Sequence, residues 1–387
     1  MTFRDIGALR SADEGLNHQI VDTFGTVAEA DLAWTEKIWA SMARTDGSLQ
    51  LDFGVGKYHN RGIIDGFGGV SRGAEQWTVR ASRELASAPE TVALGPIAYE
   101  IIDPLHTVRF VLEPNDVQPI SFDVELTAVT PPFFEERNLV RNRRTGRVEV
   151  DVIRYHQGGW ASGTVTVDGE TQEVRPDEWF GFRDHSWGVR QAVGAPPTDL
   201  IPNSMSRPKG YRGGMKWTPS FFQRPDGTYY ETAIYVVEGP FSYSSAYIND
   251  ADGTSARVRH VEPHVNYDPR TRHVLGGELR LIMDDGTERV VEFETVGDSG
   301  FRLKTAGYGE WAGHKHGAWK GPLHVDGEYI ADCLNDEYLR TLGQFRDTPI
   351  RVREGDAVGY GIMESLIAGV WPELGLAEDS DHQVSYL

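Results

Sequence analysis

Short runs of alternating apolar and polar residues, broken by Asp-Gly turns, recur along most of this chain and constrain its fold more than any other feature. Three are hairpin signatures: Thr164-Val165-Thr166-Val167-Asp168-Gly169-Glu170, Arg224-Pro225-Asp226-Gly227-Thr228-Tyr229-Tyr230 and Met283-Asp284-Asp285-Gly286-Thr287-Glu288. An Asp-Gly pair tolerates the positive φ of a tight antiparallel turn, and the flanking residues favour strands. Period two also runs through residues 76–83, 107–112, 121–126, 233–237, 278–282 and 290–294. The chain therefore reads as all-β, built from meander strands joined by tight turns.

Residues 27–44 stand apart. Leu32, Trp34, Ile38, Trp39 and Met42 recur at roughly helical spacing, which predicts a short N-terminal helix ending before Asp46-Gly47. A chain of 387 residues exceeds one ordinary hydrophobic core, so two domains are expected. Residues 193–214 are rich in Pro, Gly and Ser without periodicity, which places the junction there. The expected division is 1–200, a β-domain with the leading helix, and 201–387, a second β-domain. No short-period repeat is visible, which counts against solenoids and propellers. Closing each antiparallel sheet into a barrel or sandwich removes exposed edges and leaves room for a hydrophobic small molecule.

Composition narrows the partners. Forty-three glycines, fifteen tyrosines and ten tryptophans suit many short strands and turns. A net charge of -20 and a pI near 5.0 oppose nucleic-acid and anionic-membrane partners. The single cysteine, Cys333, allows neither an intramolecular disulfide nor a cysteine-rich zinc site, and fits a reducing compartment. Residues 1–10 lack a signal-peptide core and no run of about 18 apolar residues occurs, so a soluble, cytoplasmic protein without stable membrane insertion is expected. Oligomer formation is left open.

The chemistry is concentrated in Gly181-Phe182-Arg183-Asp184-His185-Ser186-Trp187-Gly188-Val189-Arg190. On an extended strand Arg183, His185 and Trp187 share one face, while Asp184 and Ser186 take the other. An imidazole beside an indole and a guanidinium suits proton transfer in a pocket. Tyr155-His156-Gln157 and Trp160 lie on the strand before the Asp168-Gly169 turn and supply a second wall, since strands adjacent in sequence usually pair.

Other motifs carry less. Gly69-Val70-Ser71-Arg72-Gly73 matches a nucleophile elbow, but a strand pattern follows it where a helix is needed, so it reads as a hairpin. No dinucleotide fingerprint or phosphate-binding loop is present, and no cofactor is implied. His314-Lys315-His316 would put two imidazoles on one strand face, with His324 as the nearby third ligand for a metal. This alternative lacks a carboxylate in the residues just following.

The run Gly181–Gly188, with Asp184, His185, Trp187 and Gly188, resembles the central motif of the hydroxyneurosporene synthase (carotenoid 1,2-hydratase) and AttH-like group. The resemblance implies two consecutive lipocalin-like β-domains and cofactor-independent hydratase, lyase or isomerase chemistry at a C=C or C–O bond. It implies a terpenoid, steroid or aromatic substrate, with His185 as acid/base, Trp187 as cation stabiliser and Asp184 as orienting partner. Arg183, Tyr155 and Trp160 would bind substrate. Tyr229 or Tyr230, with Glu231, would stand for the tyrosine and acid that follow the His-x-Trp pair. The paired tryptophans of the hydratases have no counterpart here. A pericyclase-like or non-catalytic hydrophobic-ligand binder is the other reading.

Overall fold

All three Asp-Gly signatures form hairpins. In the computed structural model Asp168 and Gly169 have φ of 52° and 84°, and Gly227 and Gly286 have 87° and 84°. The structure describes residues 9–379 apart from 28, 86–90, 143, 196–197, 199–210, 240–241 and 299.

The first sheet takes its strands in this chain order: β1 (Trp34–Arg44), β2 (Gln50–Tyr58), β3 (Ile63–Arg72), β4 (Glu75–Glu84), β5 (Ala93–Leu94), β6 (Ile97–Asp103) and β7 (Thr107–Leu112). It continues through β8 (Ile120–Ala128), β9 (Phe133–Phe134), β10 (Asn138–Arg141), β11 (Val148–Val167), β12 (Glu170–Val174) and β13 (Trp179–Val189). The second sheet begins with β14 (Gly213–Gln223), β15 (Tyr229–Glu238), β16 (Tyr243–Asp250), β17 (Ser255–Tyr267), β18 (Val274–Met283) and β19 (Glu288–Thr295). After an insertion holding β20 (Phe301–Arg302), β21 (Leu323–Ile330) and the short helix α1 (Asp336–Leu342), it ends with β22 (Arg346–Glu354) and β23 (Ala357–Ala368).

The second sheet closes on itself: β14 to β19 pair in sequence, β19 pairs β22, β22 pairs β23 and β23 pairs β14, all antiparallel. This is an eight-stranded lipocalin-like barrel. The first sheet runs β4-β3-β2-β1-β13-β11-β8-β7-β6-β5, and β21 adds to the free edge of β4. Val325 of β21 packs against the first core with Val92 and Tyr99, so this strand from the second half nearly closes the first barrel. The boundary expected at residue 200 falls outside the described residues. Among the described residues no helix is long and apolar enough to cross a membrane.

The three largest apolar clusters among the described residues follow from this arrangement. Leu51, Phe53, Phe110, Val124 and Trp179 fill the first barrel, and Phe222, Leu281 and Val352 the second. Trp39, Phe180, Phe182, Trp217, Phe221 and Leu366 fill the seam between the barrels.

The helix expected over 27–44 is absent, and Trp34–Arg44 is strand β1. The reason lies in the seam. Ile38, Ala40 and Met42 point into the first barrel while Trp39 and Ala43 point into the seam, so both faces are buried and both carry apolar side chains. A strand buried on both sides loses its period-two signal and imitates a helix. Gly69-Val70-Ser71-Arg72-Gly73 is the β3–β4 hairpin, with Gly73 at φ 58°.

The added strand depends on close backbone approach. A Cβ on Gly327 would stand 2.2 Å from the Thr78 carbonyl oxygen of β4. Gly327→Val is expected to lower stability by about 1–3 kcal/mol in urea unfolding, by lifting β21 off that edge. An unchanged midpoint would show that β21 contributes nothing to closure.

Candidate active site

Register divides the central motif between two environments. On β13, His185 lies opposite Ile38 of β1 and Tyr155 of β11. Arg183 lies opposite Ala40 and Gln157, and Trp187 opposite Glu36 and Ile153. Cross-strand partners share a face, so Glu36, Tyr155, Gln157, Arg183, His185 and Trp187 form one wall continuous with Ile38 and Ala40 of the first core. The wall lines the mouth of the first barrel.

There His185 is held at both nitrogens. Its Nε2 lies 2.9 Å from Glu36 Oε1 and its Nδ1 3.1 Å from the Tyr155 hydroxyl. Arg183 Nη1 donates to that same hydroxyl at 3.4 Å, and its other terminal nitrogen donates to Gln157 Oε1. Gln157 is fixed in turn by donating to the carbonyls of Leu105 (2.6 Å) and Thr130 (3.2 Å). The bond from His185 holds the Glu36 carboxyl below its usual range. Exposure grades along this chain: Glu36 is 43% exposed and His185 25%, while Arg183 is 2% exposed. Among the described residues no carboxylate forms an ion pair with Arg183, although a buried cation ordinarily requires one.

Aromatic rings frame the group. Trp187 stands edge-on to His185 at 5.4 Å, to Phe134 at 6.1 Å and to Tyr155 at 6.5 Å. Arg183 lies over the Tyr155 ring at 5.4 Å. The arrangement is a hydrogen-bonded line from a rim carboxylate through imidazole and phenol to a buried guanidinium, with an aromatic wall beside it. Such a line can move a proton between solvent and the barrel interior.

Asp184 takes the opposite face, as alternation requires, and enters the seam. Its Oδ2 lies 3.0 Å from Arg154 Nε, and Ser186 Oγ donates to its Oδ1 at 3.2 Å. Arg190 donates to Ser186 at 2.6 Å. Arg154 also pairs with Glu135 at 3.3 Å, and Glu135 accepts from the Trp217 indole. Burial alone would raise the Glu135 carboxyl, but His156 and Arg154 hold it down at about 2.

The seam holds groups that sequence reasoning missed. Asp52, Asp347 and Glu364 meet there, none of them in an ion pair among the described residues although Arg154 acts on Glu364, and Asp347 accepts from the Trp39 indole at 2.9 Å. Burial raises all three, Asp52 to about 7, and their mutual contacts hold Asp347 and Glu364 up as well. Lys37 lies in the same layer, 3.1 Å from His316 Nε2 and 3.8 Å from the Tyr308 ring centre. Burial, then Arg190, lowers its ammonium to about 7. Their one sequence signal was polar residues at alternate positions of β1 and β2, hidden by the helical reading of β1.

The other sequence candidates disperse. Trp160 sits in the seam, its indole donating to the Tyr229 hydroxyl at 3.2 Å. Glu231 is buried there too, accepting from the Gly158 backbone N–H at 2.6 Å, and burial raises its carboxyl to about 8. Tyr230 belongs to the second barrel, stacked on Phe222 and donating to Glu354 at 2.6 Å. His314 and His316 do not share a strand face. They lie in a turn, where His316 faces Lys37 and Asp65 while His314 faces Asp326. The carboxylate that seemed missing is Asp326, brought in by β21.

Two lipocalin-like antiparallel barrels, joined along a buried seam and carrying an imidazole–indole pair at the mouth of the first, define the class of protein. The chain belongs to the family of unknown function DUF8625, which it matches over residues 9–377. No curated protein matches its sequence. Similar solved structures include an AttH-type protein from Nitrosomonas europaea, at 13% identity and TM-score 0.48, covering 87% of this chain and 94% of that one. Kievitone hydratase from Nectria haematococca is 15% identical, with TM-score 0.43 and coverages of 86% and 89%. CghA bound to Sch210972 is 11% identical, with TM-score 0.46 and coverages of 87% and 89%.

The seam acids set a pH dependence. A carboxyl raised from about 4 in the unfolded chain to about 7 in the fold binds more protons when folded, so its protonation favours the fold at low pH. That contribution is lost as pH rises from about 4 to 7. Asp52→Asn is expected to flatten this part of the stability curve and to unfold at higher urea than the parent at pH 8. Parallel curves from pH 4 to 8 would show that Asp52 is ionised in the folded protein.

Proposed function

We propose that this protein is a cofactor-independent acid–base enzyme, a hydro-lyase or isomerase acting on a hydrophobic small molecule such as a terpenoid, steroid or aromatic. The observation that carries the reading is His185, held between Glu36 and Tyr155 at the mouth of a barrel whose buried Arg183 makes no ion pair among the described residues.

The Tyr155 hydroxyl lies between His185 and Arg183 on the line and is the group that meets substrate. It gives a proton to, or takes one from, carbon or oxygen of the substrate. His185 Nδ1 restores the proton balance of Tyr155, and Glu36 fixes the imidazole and holds its Nε2 proton. Arg183 lies against the developing negative charge, which favours an enolate-like or phenolate-like intermediate over a carbocation. Trp187 and Phe134 supply the apolar wall. Asp184 anchors the motif strand from the seam through Arg154.

A second reading rests on the seam. Protonated carboxyl groups at Asp52, Asp347 and Glu364 beside the Trp39 indole pair an acid with an electron-rich ring, the combination a cationic intermediate needs and the barrel mouth opposes. Those groups are buried, so that chemistry requires the barrels to part.

Deuterium incorporation from D2O into hydrophobic enones and their hydrates, followed by mass spectrometry, tests the assignment. Wild-type protein is expected to label the carbon next to the carbonyl. His185→Gln and Tyr155→Phe are each expected to slow labelling by about 100-fold or more with the fold retained. Labelling that survives both changes but falls with Asp347→Asn would move the chemistry to the seam. Survival of all three, with loss on Trp187→Ala, would leave a shaping pocket of the pericyclase or binder type.

A further inference from the structure

We propose that His314, His324 and Asp326 form a zinc(II) site that staples the turn after β20 to strand β21, apart from the His185 group.

The geometry is convergent. His314 Nε2 lies 2.6 Å and His324 Nε2 3.2 Å from the same carboxylate oxygen, Asp326 Oδ2. One ligand atom from each residue lies within 4.8 Å of the others, and the two imidazole rings are near-parallel with centres 6.1 Å apart. Two imidazole nitrogens and one carboxylate oxygen this close together are the donors that zinc takes when a fourth position is left to water.

Each ligand is held by its own local structure. His324 and Asp326 are two apart on β21 and therefore share a face. His314 is presented by a tight turn in which its N–H donates to the Trp311 carbonyl at 2.7 Å and its carbonyl accepts from the Trp311 N–H at 3.2 Å. Trp311 is pinned in turn, its indole donating to Glu328 at 2.6 Å.

The surroundings support the ion. Arg80 Nε donates to Asp326 Oδ1 at 3.0 Å, which orients the carboxylate and leaves Oδ2 to the histidines, as a hydrogen-bonded second partner does in metal sites. The Arg80 charge is already met by Glu328 Oε1 at 2.6 Å, and its Nη1 also donates to the Thr305 carbonyl. The three residues border a cavity of about 30 Å³ that also touches Asp65, Ser82 and His316, with room for a water on the open side.

The position gives the ion a structural role. Its ligands join the turn that carries His316, facing Lys37 in the seam, to the strand that completes the first barrel. An ion there would fix both together, and binding only the folded form would raise stability.

Full-length protein, stripped with a chelator and titrated with zinc chloride by calorimetry, tests this. One equivalent is expected to bind, with His324→Ala and Asp326→Asn each weakening binding by about 100-fold while circular dichroism stays unchanged. Zinc should raise the melting temperature of the parent and leave that of both variants alone, whereas His185→Gln should bind zinc normally. Absence of saturable one-to-one binding by the parent, or equal binding by both variants, would overturn the proposal without touching the assignment of His185.

Discussion

The structure depends on one sheet wall that is buried on both sides. Strands β1, β13 and β11 lie side by side between the interior of the first barrel and the seam against the second, and their alternate residues serve two different cores. With side chains alternating strictly, the central motif is split: Arg183, His185 and Trp187 belong to the barrel mouth, Asp184 and Ser186 to the seam. A one-residue slip of β13 would exchange the two sets, placing an imidazole among the seam carboxyls and an aspartate against Ile38.

Apolar packing holds the seam at its centre, while its polar rim shows how burial is reconciled with charge. Glu135, Arg154 and Asp184 neutralise one another in a chain that ties β11 to β13 and reaches the second barrel through Trp217. Asp52, Asp347 and Glu364 form no ion pair among the described residues, and burial pushes all three toward their protonated forms. The two solutions sit within one interface.

Much of this was legible in the sequence. The Asp-Gly pairs at 168–169, 226–227 and 285–286 marked their hairpins because a tight turn is a local event with a specific residue requirement. The sharing of a face by Arg183, His185 and Trp187 followed from strand periodicity, and Tyr155 joined them because consecutive long strands pair. Glu36 was lost because its strand is apolar on both faces and looks helical. Tyr230 was misplaced because it faces the interior of the second barrel, a choice that depends on register set far away. Asp326 was missed as a partner of His314 because only the return of β21 to the first sheet brings them together, and no local spacing encodes such a long-range pairing.

That return has a consequence for how the molecule comes into being. The strand that seals the first barrel is separated from the end of β13 by most of the second barrel, so a growing chain carries an incomplete N-terminal barrel with β4 exposed as an open edge. The N-terminal half is not a self-sufficient unit of inheritance. A gene split or fusion at the midpoint would separate one barrel from its last stave, which ties the two halves together as strongly as any contact across the seam.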